Sequence, residues 1–155
     1  MKRWTFKKVV SGGQTGVDRA ALDVALERGL LCGGWCPKGR TAEDGPLSLR
    51  YPLDETPSEM YRQRTEWNVR DSDGTLVLGR GPVTGGTADT VTCAARLNKP
   101  CLSIDLTHPC PVDAIHAWAS AHQVRILNVA GPRESRSSGI YAEATVFLRQ
   151  VFAAP

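Results

Sequence analysis

The sequence predicts an α/β protein: a mainly parallel sheet of about five strands with helices on both faces, a three-layer α/β/α arrangement. Two observations predict it. Short apolar runs alternate with segments of helical periodicity about five times along the 155 residues, the pattern of parallel strands joined by crossover helices. Glycine-rich turns also leave several of these runs and lead straight into the helical segments, most clearly Gly12-Gly13-Gln14-Thr15-Gly16.

Each element follows from its own residues. Lys8–Ser11 is the expected first strand. Gly16–Gly29 is the expected first helix, because Val17, Ala21, Leu22, Ala25 and Leu26 recur at helical spacing and Gly29 suits its C-terminal end. Leu30–Trp35 follows as a strand. Cys36–Pro57 carries Pro37, Pro46, Pro52 and Pro57 among several glycines, which predicts a long loop, and such loops are usually functional. The spacing predicts a helix over Ser58–Asp71 with Ser58 as its N-cap, then a strand over Gly74–Gly79 around Leu76-Val77-Leu78. Thr84-Gly85-Gly86-Thr87 is a second glycine turn, and Ala88–Leu97 the helix behind it. Pro100–Leu106 is a strand, Pro111–His122 a helix with proline near its first turn, Val124–Val129 the last strand and Gly139–Phe152 the closing helix. No repeat or low-complexity segment divides the chain, so residues 1–155 read as one domain.

Composition narrows the function classes. The chain is 41% hydrophobic and 23% charged, as soluble globular proteins are. A net charge of +3 without a dense Lys/Arg run argues against a nucleic-acid partner. No apolar stretch approaches the ~20 residues that span a bilayer, so no membrane partner is expected. Met1–Lys8 is basic, but no apolar segment with a small-residue cleavage site follows it, and a cytoplasmic location is expected. The five cysteines are odd in number and argue against a disulfide framework. Cys32 and Cys36 have no further ligand at metal spacing, since His108, His116 and His122 lie far off, so no directly ligated metal is predicted.

Ligands of open parallel sheets bind beyond the carboxyl ends of the strands. Three loops there carry glycine and polar residues: Gly12–Arg19, Thr84–Thr87 and Gly131–Ser135. Gly12, Gly13, Gln14, Thr15 and Gly16 are candidates to cradle a phosphate through backbone N–H groups at a helix start. Gly85, Gly86 and Thr87 would hold a second phosphate or a ribose, and Gly131 and Arg133 complete the edge. Arg19 can reach an anion over the first turn, and Lys38 and Arg40 can close over it from the proline loop. Asp18 suits a sugar hydroxyl or the helix dipole. Glu43, Asp44 and Glu134 are the candidates for acid–base chemistry, should a bond be cleaved. Arg62, Arg64, Glu66 and Arg70 are read as a partly solvated helix face with i,i+4 pairing. Trp35 and Trp67 either stack on a flat ring or fill the core. The first turn matches neither the G-x-G-x-x-G dinucleotide spacing nor the Gly-Lys-Ser/Thr end of a P-loop.

Several of these stretches in order resemble one family: Ser11–Arg19, Gly34-Trp35-Cys36-Pro37-Lys38-Gly39-Arg40, Ala42-Glu43-Asp44-Gly45, Asn68–Gly74, Gly85-Gly86-Thr87 and Leu127–Ser135. They are similar to the circularly permuted YpsA-like family of the SLOG superfamily, often labelled as molybdenum carriers, over about Val9 to Phe152. The resemblance implies a Rossmann-like fold that binds a phosphorylated small molecule at its glycine loops, either a nucleotide or the molybdenum cofactor (molybdopterin), a phosphorylated pterin. It places Gly12, Gly13, Thr15, Gly16, Arg19, Gly85, Gly86 and Thr87 on the phosphate side, with Lys38, Arg40, Arg133 and Glu134 as further contacts. A related branch, the cytokinin-activating phosphoribohydrolases, carries Pro-Gly-Gly-x-Gly-Thr-x-x-Glu. Here Thr84 replaces the proline and Thr92 the glutamate, which favours a binding or carrier role over a nucleotide hydrolase; a nucleotide-sensing module is the third alternative. A homo-oligomer is also expected, since small domains of this kind often self-associate.

Overall fold

The computed structural model describes residues 3–153; Met1 and Lys2 of the basic N-terminal stretch lie outside them. Along the chain run β1 (Lys8–Val10), α1 (Val17–Glu27), β2 (Leu31–Gly33), β3 (Trp35–Cys36), β4 (Thr41–Ala42), β5 (Gly45–Pro46), β6 (Asp54–Glu55) and α2 (Tyr61–Arg70). There follow β7 (Gly74–Gly79), α3 (Gly85–Arg96), β8 (Cys101–Asp105), α4 (Val112–Ala121), β9 (Ile126–Ala130) and α5 (Ile140–Val151). Five strands form one parallel sheet in the order β2-β1-β9-β7-β8, flanked by the five helices. The crossover from β1 to β2 runs one way along the sheet and that from β7 to β8 the other way. Right-handed crossovers therefore put α1 and α3 on opposite faces.

The structure differs from the sequence expectations in four places, each for a local reason. The strand expected over Leu30–Trp35 is broken at Gly34, whose φ of 122° turns the chain out of the sheet into β3. The proline loop is ordered by two small ladders, β3 with β6 in parallel and β4 with β5 in an antiparallel hairpin. Helix α2 starts at Tyr61, three residues later than expected. Ser58 spends its hydroxyl as acceptor for the Met60 N–H in a turn, and its own N–H donates to the Gln63 side chain. Helix α3 starts at Gly85, so the second glycine turn is the first turn of the helix itself.

The two faces of the sheet are packed differently. Strand residues alternate between faces. Val9, Leu76, Leu78, Leu127 and Val129 point to one side and meet Ala21 and Val24 of α1, Ile115 and Ala119 of α4, and Ile140 and Leu148 of α5 in the main apolar core. On the other side β7 and β9 offer Thr75 and Asn128, whose amide donates to the Thr75 hydroxyl at 3.2 Å. Helix α2, with the sequence YRQRTEWNVR, has no apolar stripe to lay there and buries only Asn68 and Val69. What packs between α2 and α3 is a small cluster of Val69, Cys93 and Ala94 edged by Leu97 and Cys101. A thinly filled, polar-floored face is where a cavity forms.

Candidate functional site

The turn after β1 is filled by the chain itself. Gly16 caps α1 at a φ of 79°, and a Cβ there would collide with the Pro132 carbonyl, which instead accepts the first helical N–H, that of Val17, at 3.3 Å. The Thr15 hydroxyl donates to Glu43 and accepts the Glu134 N–H at 3.1 Å. Glu43 also accepts the Ser135 N–H at 3.2 Å and the Ser135 hydroxyl at 2.5 Å, with the Arg133 guanidinium 3.8 Å away. The Ser135 and Thr15 hydroxyls hold its carboxyl below the usual range. Arg19 donates Nε–H to the Gly13 carbonyl and both terminal nitrogens to Asp44 at 3.0 Å, which lowers the Asp44 carboxyl likewise. Gly12 faces the Arg64 guanidinium so closely that a Cβ would strike it, and Gly13 faces Leu47 and Leu53. An internal carboxylate, Glu43, thus stands at the loop junction where the sequence led us to expect an external anion.

The turn after β7 is open. A cavity of about 650 Å³ lies between α2, the start of α3, the carboxyl ends of β7, β8 and β9, and the loop leading to α5. Thr84, the N-cap of α3, makes no side-chain capping bond, and Gly85 and Gly86 are exposed. The guanidinium of Arg136 lies 3.3 Å from where a Gly85 Cβ would stand. Arg64 reaches Asp18 at 3.1 Å, Arg80 reaches Glu143 at 2.6 Å and Arg96 reaches Glu66 at 3.5 Å, but Arg62 and Arg136 have no carboxylate partner among the described residues. Arg64 also keeps a buried Nε–H without an acceptor. Asp18 is 4% exposed, and burial pushes its carboxyl up against the pull of Arg64. At the end of β8, Asp105 accepts three hydrogen bonds on Oδ1, led by the Thr107 hydroxyl, which hold it down to about 2.

The residues singled out in the sequence fall into three groups. Gln14, Asp18, Gly85, Gly86, Thr87, Gly131 and Arg133 line the cavity, and Gly12 borders a small recess beneath it shared with Arg64, Asn68 and Asn128. Gly13, Thr15, Gly16, Arg19, Glu43, Asp44 and Glu134 gather at the filled turn or beside it. There Glu134 accepts the N–H groups of Gly139 and Tyr141 at the start of α5 and is held below the ordinary carboxylate range by them. Lys38 and Arg40 lie apart in the proline loop. Lys38 is exposed, and Arg40 donates to the carbonyls of Ser48, Tyr51 and Leu53, each at 2.9 Å, as a brace for the loop. Trp35 and Trp67 meet edge to face at 4.7 Å, and neither lines the cavity.

Among the cavity residues that sequence reasoning did not assign to a site are Tyr61, Arg62, Arg64, Arg80, Arg96, Asp105 and Arg136. The expected i,i+4 pairing on α2 is replaced by other connections: Glu66 pairs with Arg96 of α3, and Arg70 with its neighbour Asp71. The signal for Tyr61, Arg62 and Arg64 was the polarity of α2, too high for a helix that covers a sheet. Among the described residues no group of three His, Cys, Asp or Glu side chains is placed to hold a metal ion. No described helix is long and apolar enough to cross a membrane.

Comparison with known proteins matches residues 9–152 to the model of the circularly permutated YpsA SLOG family. A crystal structure from Syntrophus aciditrophicus SB, of a protein described as "Putative molybdenum carrier protein", superposes with a TM-score of 0.93 at 45% identity, covering 99% of this chain and 98% of that one. No curated protein matches.

Proposed function

Because the chain belongs to the circularly permuted YpsA SLOG family, we propose that it binds a phosphorylated nucleotide-like or pterin ligand in the cavity at the start of α3. The observation that carries this reading is the pairing of two positive groups, neither of them bonded to a carboxylate among the described residues. The N-terminus of α3 presents free N–H groups and a partial positive charge, and the Arg136 guanidinium stands beside it without a carboxylate partner among the described residues. A phosphate between them would satisfy both. The orphaned Nε–H of Arg64 offers a further donor, and the volume lies within the range of small-molecule sites.

The molybdenum cofactor is one candidate cargo, following the description of the similar protein. Its phosphate would meet Gly85, Gly86, Thr87 and Arg136. With no trio of ligating side chains among the described residues, molybdenum would arrive within the cofactor. Binding without cleavage is the better-supported reading, because Glu43, Asp44 and Glu134, the carboxylates expected to do acid–base work, are each engaged by donors of the chain itself and do not line the cavity. A hydrolase would have to use one of the carboxylates of the cavity wall, Asp18, Glu66, Asp89 or Asp105. The same reading expects a cytoplasmic, self-associating protein.

Calorimetric titration with AMP, GMP and inorganic pyrophosphate tests the proposal. Saturable binding to at least one probe is expected, weakened about tenfold or more in Arg136→Ala. Absence of saturable binding, or equal affinity in the variant, overturns it. Release of free base from AMP or GMP, followed by chromatography, would turn the reading to a hydrolase.

A further inference from the structure

We infer that Asp105 reads the sugar of the ligand: its outward carboxylate oxygen accepts the 2′- and 3′-hydroxyls of a ribose, so the cavity selects ribonucleotides with an unmodified cis-diol. This inference rests on the nucleotide reading above.

The argument starts from the β7–α3–β8 unit. It is a βαβ crossover with its two strands in parallel register, Gly79 opposite Asp105 at their carboxyl ends. The turn between β7 and α3, Gly79-Arg80-Gly81-Pro82-Val83-Thr84, has two glycines one residue apart, with Thr84 where a third glycine stands in dinucleotide-binding turns. In such units the phosphate sits at the helix start, and an acidic residue about twenty positions on, at the end of the next strand, takes the ribose hydroxyls. Here the first part is the open start of α3, and Asp105 follows Gly85 at that interval. Both line the same cavity.

The carboxylate is prepared for this. Its Oδ1 accepts the Gly81 N–H at 3.1 Å, the Thr107 N–H at 2.9 Å and the Thr107 hydroxyl at 2.6 Å, which fixes the plane of the group. Among the described residues Oδ2 accepts no hydrogen bond, and the exposed imidazole of His108 stands with Nε2 3.8 Å from it. One anchored and one free oxygen, both carrying negative charge, suit a pair of hydroxyl donors and oppose a phosphate in their place.

The test compares probes that differ in one hydroxyl. Ribose 5-phosphate is set against 2-deoxyribose 5-phosphate, and AMP and GMP against their 2′-deoxy and 2′-phosphorylated forms, by calorimetry on the full chain. The wild type is expected to prefer the ribo forms by about 10- to 100-fold. Asp105→Asn should bring ribo and deoxy forms to within a few-fold and improve the relative binding of the 2′-phosphates. Equal binding of ribo and deoxy forms by the wild type overturns the inference and leaves the phosphate site standing, provided Arg136→Ala weakens both alike. Retained preference in Asp105→Asn overturns it too. Failure of every phosphorylated probe to bind removes the nucleotide reading and this one with it. The wild-type comparison decides the matter even if the variant does not fold.

Discussion

After β1 the chain turns through Gly12–Gly16 and enters α1 with its loop groups occupied: Val17 N–H on Pro132, Thr15 and Ser135 on Glu43, Arg19 on Asp44. After β7 it turns through Gly79–Thr84 and enters α3 with Gly85 and Gly86 exposed and an arginine standing by. Both are glycine turns at the carboxyl edge of one parallel sheet, and only the second leaves room for a visitor. The difference shows that glycine at such a turn marks close approach of something, and that the something can belong to the same chain.

Three measurements sharpen or break this contrast. The largest effect is expected for Gly16→Ala, which puts a side chain at a positive φ and against the Pro132 carbonyl; the loss should be about 3 kcal/mol or more in denaturant unfolding. A change of a few tenths would mean that the first turn is less tightly closed than its contacts imply. Glu43→Gln should cost about 1–2 kcal/mol, since it weakens hydrogen bonds to a charged acceptor. Because folding lowers the Glu43 pKa, its contribution is present above the ordinary value of 4.5 and fades as the pH falls below it. Stability curves of wild type and variant should therefore converge in acid, and parallel curves down to pH 3 would remove Glu43 from this role. The smallest stability effect is expected for Gly86→Ala. No atom lies within 4 Å of the new methyl group and the site is helical, so stability should hold or rise by up to about 1 kcal/mol, while affinity for a phosphorylated probe falls. A marked loss of stability there would erase the distinction between the turns.

The alternation of strand and helix was legible because it rests on local periodicity: Val17, Ala21, Leu22 and Ala25 declare the buried face of α1 without help from the rest of the chain. Ends of elements were less legible. Ser58 has the chemistry of a helix cap and uses it in a turn three residues early. The glycine loops were visible, but what fills each of them was not. Glu43 reaches Thr15 and Ser135 across 28 and 92 residues of sequence, and no spacing rule links them. Arg64 illustrates the same limit from the other side. On a polar helix it looks like one more solvated charge, yet it lies against Gly12 and pairs with the buried Asp18 because α2 packs over a polar floor. Arg136, in the loop before α5, and Asp105, at the end of β8, are brought to the start of α3 by the fold alone.

The position of β9 carries a consequence for synthesis of the chain. The pair β1–β2 and the pair β7–β8 share no ladder with each other; each half of the sheet is joined to the other only through β9, between them, which comes after residue 125. A ribosome-bound chain therefore holds two short unfinished ribbons with bare inner edges until β9 emerges. The central seam is zipped last, and until then those edges are open to wrong pairing or to a chaperone.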